Sequence, residues 1–127
     1  MPAQESLPVE NGICQCRVAG LHTLVEVRES IRAAIAQCRE RHVAKLLVDA
    51  SGLTGMAVPR LIDRFLVAEE LAGEAGGTVA VAIVVPSDYL LPSRFGVRVA
   101  HDFGLSLEAF TSVDEAQAWL AAPTQER

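Results

Sequence analysis

Between Ile13 and Val18 the chain alternates. Cys14, Cys16 and Val18 fall on one side of an extended segment and Gln15 and Arg17 on the other, which predicts a strand with one buried face and one wetter face. Gly20 ends it. The period then changes: Leu24, Val27, Ile31, Ala34, Ile35 and Cys38 recur at three- and four-residue steps. Thr23 and Glu26 have the spacing of a capping box, so a helix is predicted over about residues 23 to 41. Lys45 to Asp49 reads as a compact apolar strand broken by Ser51, Gly52 and Gly55, and Pro59 is placed to open a second helix. The expected buried stripe of that helix is Leu61, Ile62, Phe65, Ala68, Leu71 and Ala72, and Gly73 with the pair Gly76 and Gly77 marks its end.

Thr78 to Val85 shows no polar alternation, the pattern of a central strand covered on both faces, and Pro86 closes it. A third helix is predicted over residues 88 to 102, with Pro92 in its first turn, Leu91, Phe95, Val99 and Phe103 along one side, and Gly104 as its cap. Leu105, Leu107 and Ala109 alternate as a last strand. Ser112 and Glu115 then cap a final helix that buries Val113, Ala116, Trp119 and Leu120. Ahead of all this, residues 1 to 12 carry Pro2 and Pro8, which predicts a flexible start or short edge strand near Leu7 to Val9 and a turn at Glu10, Asn11 and Gly12. Four β-α units with short links imply right-handed crossovers and a mostly parallel sheet of at least four strands. One domain is expected over residues 13 to 122, with a frayed tail at 123 to 127.

Composition narrows the function classes. A chain of 127 residues buries a core without metal or disulfide staples, and 50% hydrophobic against 5% aromatic residues means an aliphatic core with little stacking surface for bases or sugars. A net charge of −5 argues against nucleic-acid backbone binding, which needs concentrated Lys and Arg. The start of the chain lacks a signal peptide's basic and apolar regions, and no run reaches the ~18 apolar residues of a membrane span. A cytoplasmic location and no integral membrane segment are therefore expected. Cys14, Cys16 and Cys38 form an odd set without metal-ligand spacing, which suits buried thiols in a reducing compartment. His22, His42 and His101 are scattered, so neither a metal nor a cofactor is expected.

Three segments carry a family resemblance: Leu46 to Gly55, Arg94 to Leu105, and Phe110 to Leu120 with its Phe-Thr-x-x-x-Glu-Ala-x-x-Trp-Leu ending. Together they resemble the bacterial STAS/SEC14-like proteins of the SpoIIAA-like fold, over most of the chain from about residue 12. The resemblance implies an α/β (β-α)4 superhelix with a mostly parallel sheet of four to five strands packed by amphipathic helices. That fold is shared with anti-sigma-factor antagonists, sulfate-transporter tails and the lipid-binding lobe of SEC14 proteins, and it implies no single activity. In the antagonists a phosphorylated serine stands at the mouth of the second helix. Here that stretch is Ala57, Val58, Pro59 and Arg60 and holds no hydroxyl, so the phospho-switch does not carry over.

The first candidate site is the end of the Asp49 strand, with Asp49, Ser51 and Thr54 and, beyond them, Arg60, at the carboxyl edge where open α/β sheets bind ligands. The plainer reading is that these short side chains satisfy turn amides. Arg94 opens on the same edge as an anion clamp or a packed helix-start residue. Arg28, Arg32 and Arg39 fall in a narrow arc beside the first helix's stripe, either as a basic rim for a lipid headgroup or acidic partner or as side chains snorkelling over the core edge. No Gly-x-Ser-x-Gly elbow is present and no base neighbours Ser51 or Cys14, so no catalytic residues are assigned and no enzyme is expected. The expectation is a regulatory module that binds a protein partner, as a homodimer. The alternative is a SEC14-like carrier or sensor of a small apolar ligand or lipid.

Overall fold

A turn starts the sheet. Asn11 and Gly12 both take positive φ, 54° and 79°, which is the two-residue hairpin geometry that an Asn-Gly pair favours. It folds strand β1 (Val9–Glu10) antiparallel onto β2 (Ile13–Leu21), pairing Glu10 with Ile13 and Val9 with Cys14. Helix α1 (Leu24–Glu40) opens on the expected capping box: Glu26 N–H donates to Thr23 Oγ1 at 3.2 Å and Thr23 N–H to Glu26 Oε1 at 2.9 Å. It closes with His42 at φ 58°, where Val43 N–H reaches back to the Cys38 carbonyl at 2.8 Å, so the turn usually given to glycine is held by a histidine.

Strand β3 (Lys45–Thr54), helix α2 (Leu61–Ala75), β4 (Ala80–Val84), β5 (Ser106–Phe110) and helix α3 (Val113–Ala121) follow. The computed structural model describes residues 7–55, 60–87, 104 and 106–121, and gives the backbone alone for residues 61, 64 and 65. The expected helix over 88–102, Arg94, the stretch 57–59, Leu105 and the tail from 123 lie outside the described residues, as do the side chains of Leu61 and Phe65. Among the described residues the sheet runs in the order β1-β2-β3-β4-β5, with β2 to β5 parallel. The protein is thus α/β with a mostly parallel five-stranded sheet.

Successive crossovers that step one strand in the same direction keep their helices on one face. Accordingly Val27, Ile31, Ala34, Ile35 and Cys38 of α1 and Ala68, Leu71, Ala72 and Ala75 of α2 pack with Cys14, Cys16, Val18, Leu46, Val48 and Val81. On the other face α3 sets Ala116 and Leu120 against Leu47, Ala82 and Val84, with Trp119 tilted against Phe110 at a ring separation of 6.0 Å. Cys14, Cys16 and Cys38 are free, buried thiols.

Three expectations are corrected. Gly73, expected to mark the end of α2, lies inside it, and the helix runs on to Ala75 with Gly76 as its cap at φ 58°. Strand β3 does not break at Ser51 and Gly52 but continues to Thr54. Its partner β2 also continues, and one extra β3 residue is absorbed between the pairs Arg17 with Asp49 and Ala19 with Gly52. Gly52 permits that register because a Cβ there would sit 3.0 Å from the Ala19 Cβ. Ile62, placed on the buried stripe of α2, is 53% exposed. At 3.6 residues per turn it lies about 120° round the helix from Ala68 and about 180° from Leu71, so the stripe does not include it.

Candidate functional site

Because β2 to β5 run parallel, their carboxyl ends share one edge of the sheet, and α1 and α2 begin there. Asp49 is in register with Val84, the last residue of β4, so β3 from Ala50 to Thr54 runs on beside β2 alone. Ser51 thus lies within the strand that the sequence ends at Asp49, not in a loop beyond it. Asp49 Oδ1 accepts both the Ser51 hydroxyl at 2.6 Å and the Ser51 N–H at 3.1 Å. The short hydroxyl bond is charge-assisted. Thr54, exposed, pairs across the ladder with Leu21.

Arg17 stands opposite Asp49 and was not singled out from the sequence, although it shares the wetter side of β2 with Gln15. It is exposed and forms no ion pair with Asp49, whose carboxylate turns along its own strand to Ser51. The described histidines do not complete a relay either. His22 Nε2 lies 2.9 Å from the Ala19 carbonyl and its Nδ1 3.5 Å from Glu26, while His42 caps the far end of α1. Among the described residues the pair is an oriented hydroxyl and carboxylate with no histidine bonded to it.

Arg60 is separate from this pair. It is the N-cap residue of α2, and both its N–H, at 3.2 Å, and its guanidinium, at 3.1 Å, donate to Asp63. That hydrogen bond, foremost among the causes, holds the Asp63 carboxyl below its ordinary range. Arg94 lies outside the described residues. The basic rim residues meet α2. Arg32 Nη1 bonds Glu70 at 2.9 Å, and Arg28 Nε lies 3.3 Å from the same carboxylate without hydrogen-bond geometry. Arg39 donates to the Glu74 carbonyl at 2.7 Å. Glu29 adds contacts to Arg28 at 3.0 Å and Arg32 at 3.6 Å. The three arginines therefore form a seam between helices, each facing an oxygen of its own chain.

What the sequence reading missed is apolar. Leu21, Val25, Ile62 and Leu66 are exposed by 78%, 56%, 53% and 51%, and all four belong to the carboxyl end of the sheet or to the first turns of the helices that start there. Ile62 and Leu66 are neighbours one turn apart on α2. Val25 stands one turn before Arg28 and Leu66 one turn before Glu70, so the two apolar residues extend the seam toward the helix starts. The signal was available: Val25 and Leu66 each lie two residues before a stripe residue, Val27 and Ala68, hence about 160° round from the core. No group of His, Cys, Asp or Glu among the described residues is arranged to hold a metal ion, and no described helix is long and apolar enough to cross a membrane. Comparison with protein-family models, with curated proteins and with solved structures finds no match for this chain.

Proposed function

We propose that this chain is a non-catalytic STAS-like binding or regulatory module, and that it acts through protein contacts made by the apolar surface at the carboxyl end of its sheet. The observation that carries this reading is the group Leu21, Val25, Ile62 and Leu66, four large apolar side chains each more than half exposed at one end of the molecule. Single exposed apolar residues are ordinary, whereas a group at one site marks an interaction surface. The hydroxyl and carboxylate of Ser51 and Asp49 already satisfy each other, which fits a structural role in fixing the extended end of β3. The mostly parallel sheet with amphipathic helices is compatible with the STAS-like superhelix, and three free buried thiols fit a cytoplasmic setting.

Replacing Leu66 with a photoactivatable residue in producing cells tests the reading, with Gln117, exposed on α3, as the control position. A discrete peptide adduct from position 66, identified by mass spectrometry and lacking at 117, is the expected result. A lipid adduct would move the assignment to the apolar-ligand carrier, and no adduct at all would end the docking reading.

A further inference from the structure

We infer that the occupant of this surface is an amphipathic helix of another protein, lying along α2 with a Lys or Arg placed against Glu69. The inference rests on the docking reading above and names the partner's chemistry. Its first ground is the spacing of the surface. Among the described residues of α2 the exposed ones are Ile62, Leu66, Glu69 and Gly73. Steps of four, three and four residues keep all of them within an arc about 60° wide at 3.6 residues per turn. That spacing is the seam along which one helix packs on another, and the two-residue period of an extended segment does not match it.

The second ground is charge. Asp63 is bonded to Arg60, Glu70 faces Arg28 and Arg32, and Glu74 faces Arg32. Glu69, exposed on the stripe, is the carboxylate of α2 that no arginine faces among the described residues. A cation on the partner meets that open charge, and the net charge of −5 on the chain favours such a partner's approach. An acidic membrane surface would be repelled by both. A second copy of the chain would bring its own Glu69, adding a carboxylate where a cation is needed. The third ground is Gly73. Glycine inside a helix destabilises it relative to alanine, yet nothing in the rest of the fold calls for one here: its φ is not left-handed, and a Cβ would meet no atom within 4 Å. On the stripe, one turn beyond Glu69, it leaves a gap where a partner helix can come close and seat a large apolar side chain.

Two synthetic helical peptides, titrated with the full chain and read by fluorescence anisotropy, test this. Both carry Leu at three stripe positions of the same four-three-four spacing, and the remaining position is Arg in one and Glu in the other. The Arg peptide should bind about tenfold more tightly, with a smaller margin at high salt. Glu69→Arg should reverse that order. Gly73→Gln should weaken binding of the Arg peptide by about tenfold while the urea midpoint holds or rises, an outcome that a purely structural role for Gly73 would not give. Binding of neither peptide overturns the inference, as does an order of affinities that Glu69→Arg leaves unchanged. The docking reading is judged separately, by the adduct from position 66. An adduct to a peptide without this apolar and basic pattern, or to a second copy of the chain, leaves the docking reading standing and removes the helical partner.

Discussion

Replacing Glu70 with Ala should destabilise the fold by about 0.5 to 1 kcal/mol, and the structure apportions that figure. Glu70 serves two arginines across the helix seam, Arg32 at 2.9 Å and Arg28 at 3.3 Å, with side-chain exposures of 35% for Glu70, 43% for Arg32 and 28% for Arg28. Half-exposed pairs of this kind contribute about 0.5 kcal/mol each. Arg28 Nε is buried and makes no hydrogen bond, so Glu70 acts on it through charge alone, whereas Arg32 also donates a hydrogen bond to Glu70 at 2.9 Å. The better helix propensity of Ala returns a few tenths of a kcal/mol. Urea unfolding at low and high salt measures it, and screening of these partly exposed pairs should shrink the difference from wild type. Double-mutant cycles should give Glu70 a larger coupling to Arg32, which is hydrogen-bonded to it, than to Arg28, which is not. A Glu70→Ala variant no less stable than wild type, or a larger coupling to Arg28, would refute this account of the seam.

Three further outcomes are expected. Burial, with the neighbouring Cys14 second, pushes the Cys16 thiol up to about 11 and the Cys38 thiol up to about 12 from an ordinary 9.0. Both groups are held neutral in the fold, so their contribution is complete below pH 9 and is lost as pH rises from 9.0 toward 11 and 12; urea midpoints should fall across that window, and less steeply in a Cys16→Ala, Cys38→Ala double variant. Two glycine substitutions should have opposite signs in thermal unfolding. Gly12→Ala, at φ 79° with open space around its Cβ, costs about 1 kcal/mol of backbone strain. Gly73→Ala, inside α2 and equally open, gains about 0.5 to 1 kcal/mol. Ser51→Ala removes the 2.6 Å bond to Asp49 at a cost below about 1 kcal/mol, and cross-linking from position 66 should be unchanged. A Ser51→Ala variant that abolishes the adduct would return the functional site to the end of β3.

The elements that were legible in the sequence are those whose causes lie within about four residues. Thr23 with Glu26, Ser112 with the Glu115 N–H, Asn11 with Gly12, and the alternation of Cys14, Cys16 and Val18 each form through local chemistry, and each element stands where its pattern placed it. The extension of β3 was not legible because its cause is distant. Ser51 and Gly52 read locally as a break, but the backbone groups that keep the strand going belong to Ala19, Gly20 and Leu21, some thirty residues earlier. Only the pairing of β2 with β3 turns a local breaker into a strand residue with one displaced register step.

The site misled for a different physical reason. Short polar side chains advertise chemistry in a sequence, and Asp49 and Ser51 drew attention on that account, yet in the fold they consume each other's hydrogen-bonding capacity. The arginines of α1 likewise read as an open basic arc until α2 supplies Glu70 and Glu74 across the seam, a pairing between residues 38 positions apart in the case of Arg32 and Glu70. Apolar residues, by contrast, drew attention only as core, and those outside the predicted stripes were passed over. Leu21, Val25, Ile62 and Leu66 look no different from Val27 or Leu71 until helical angle and strand end are considered together. Water leaves a polar surface satisfied, whereas it leaves exposed aliphatic side chains with favourable free energy still to be gained on burial, about 25 cal/mol for each Å² removed from solvent. In this molecule the groups with unspent binding capacity are therefore the exposed aliphatic ones, which is why the first turns of α1 and α2, and not the carboxylate of Asp49, are the place to look for a partner.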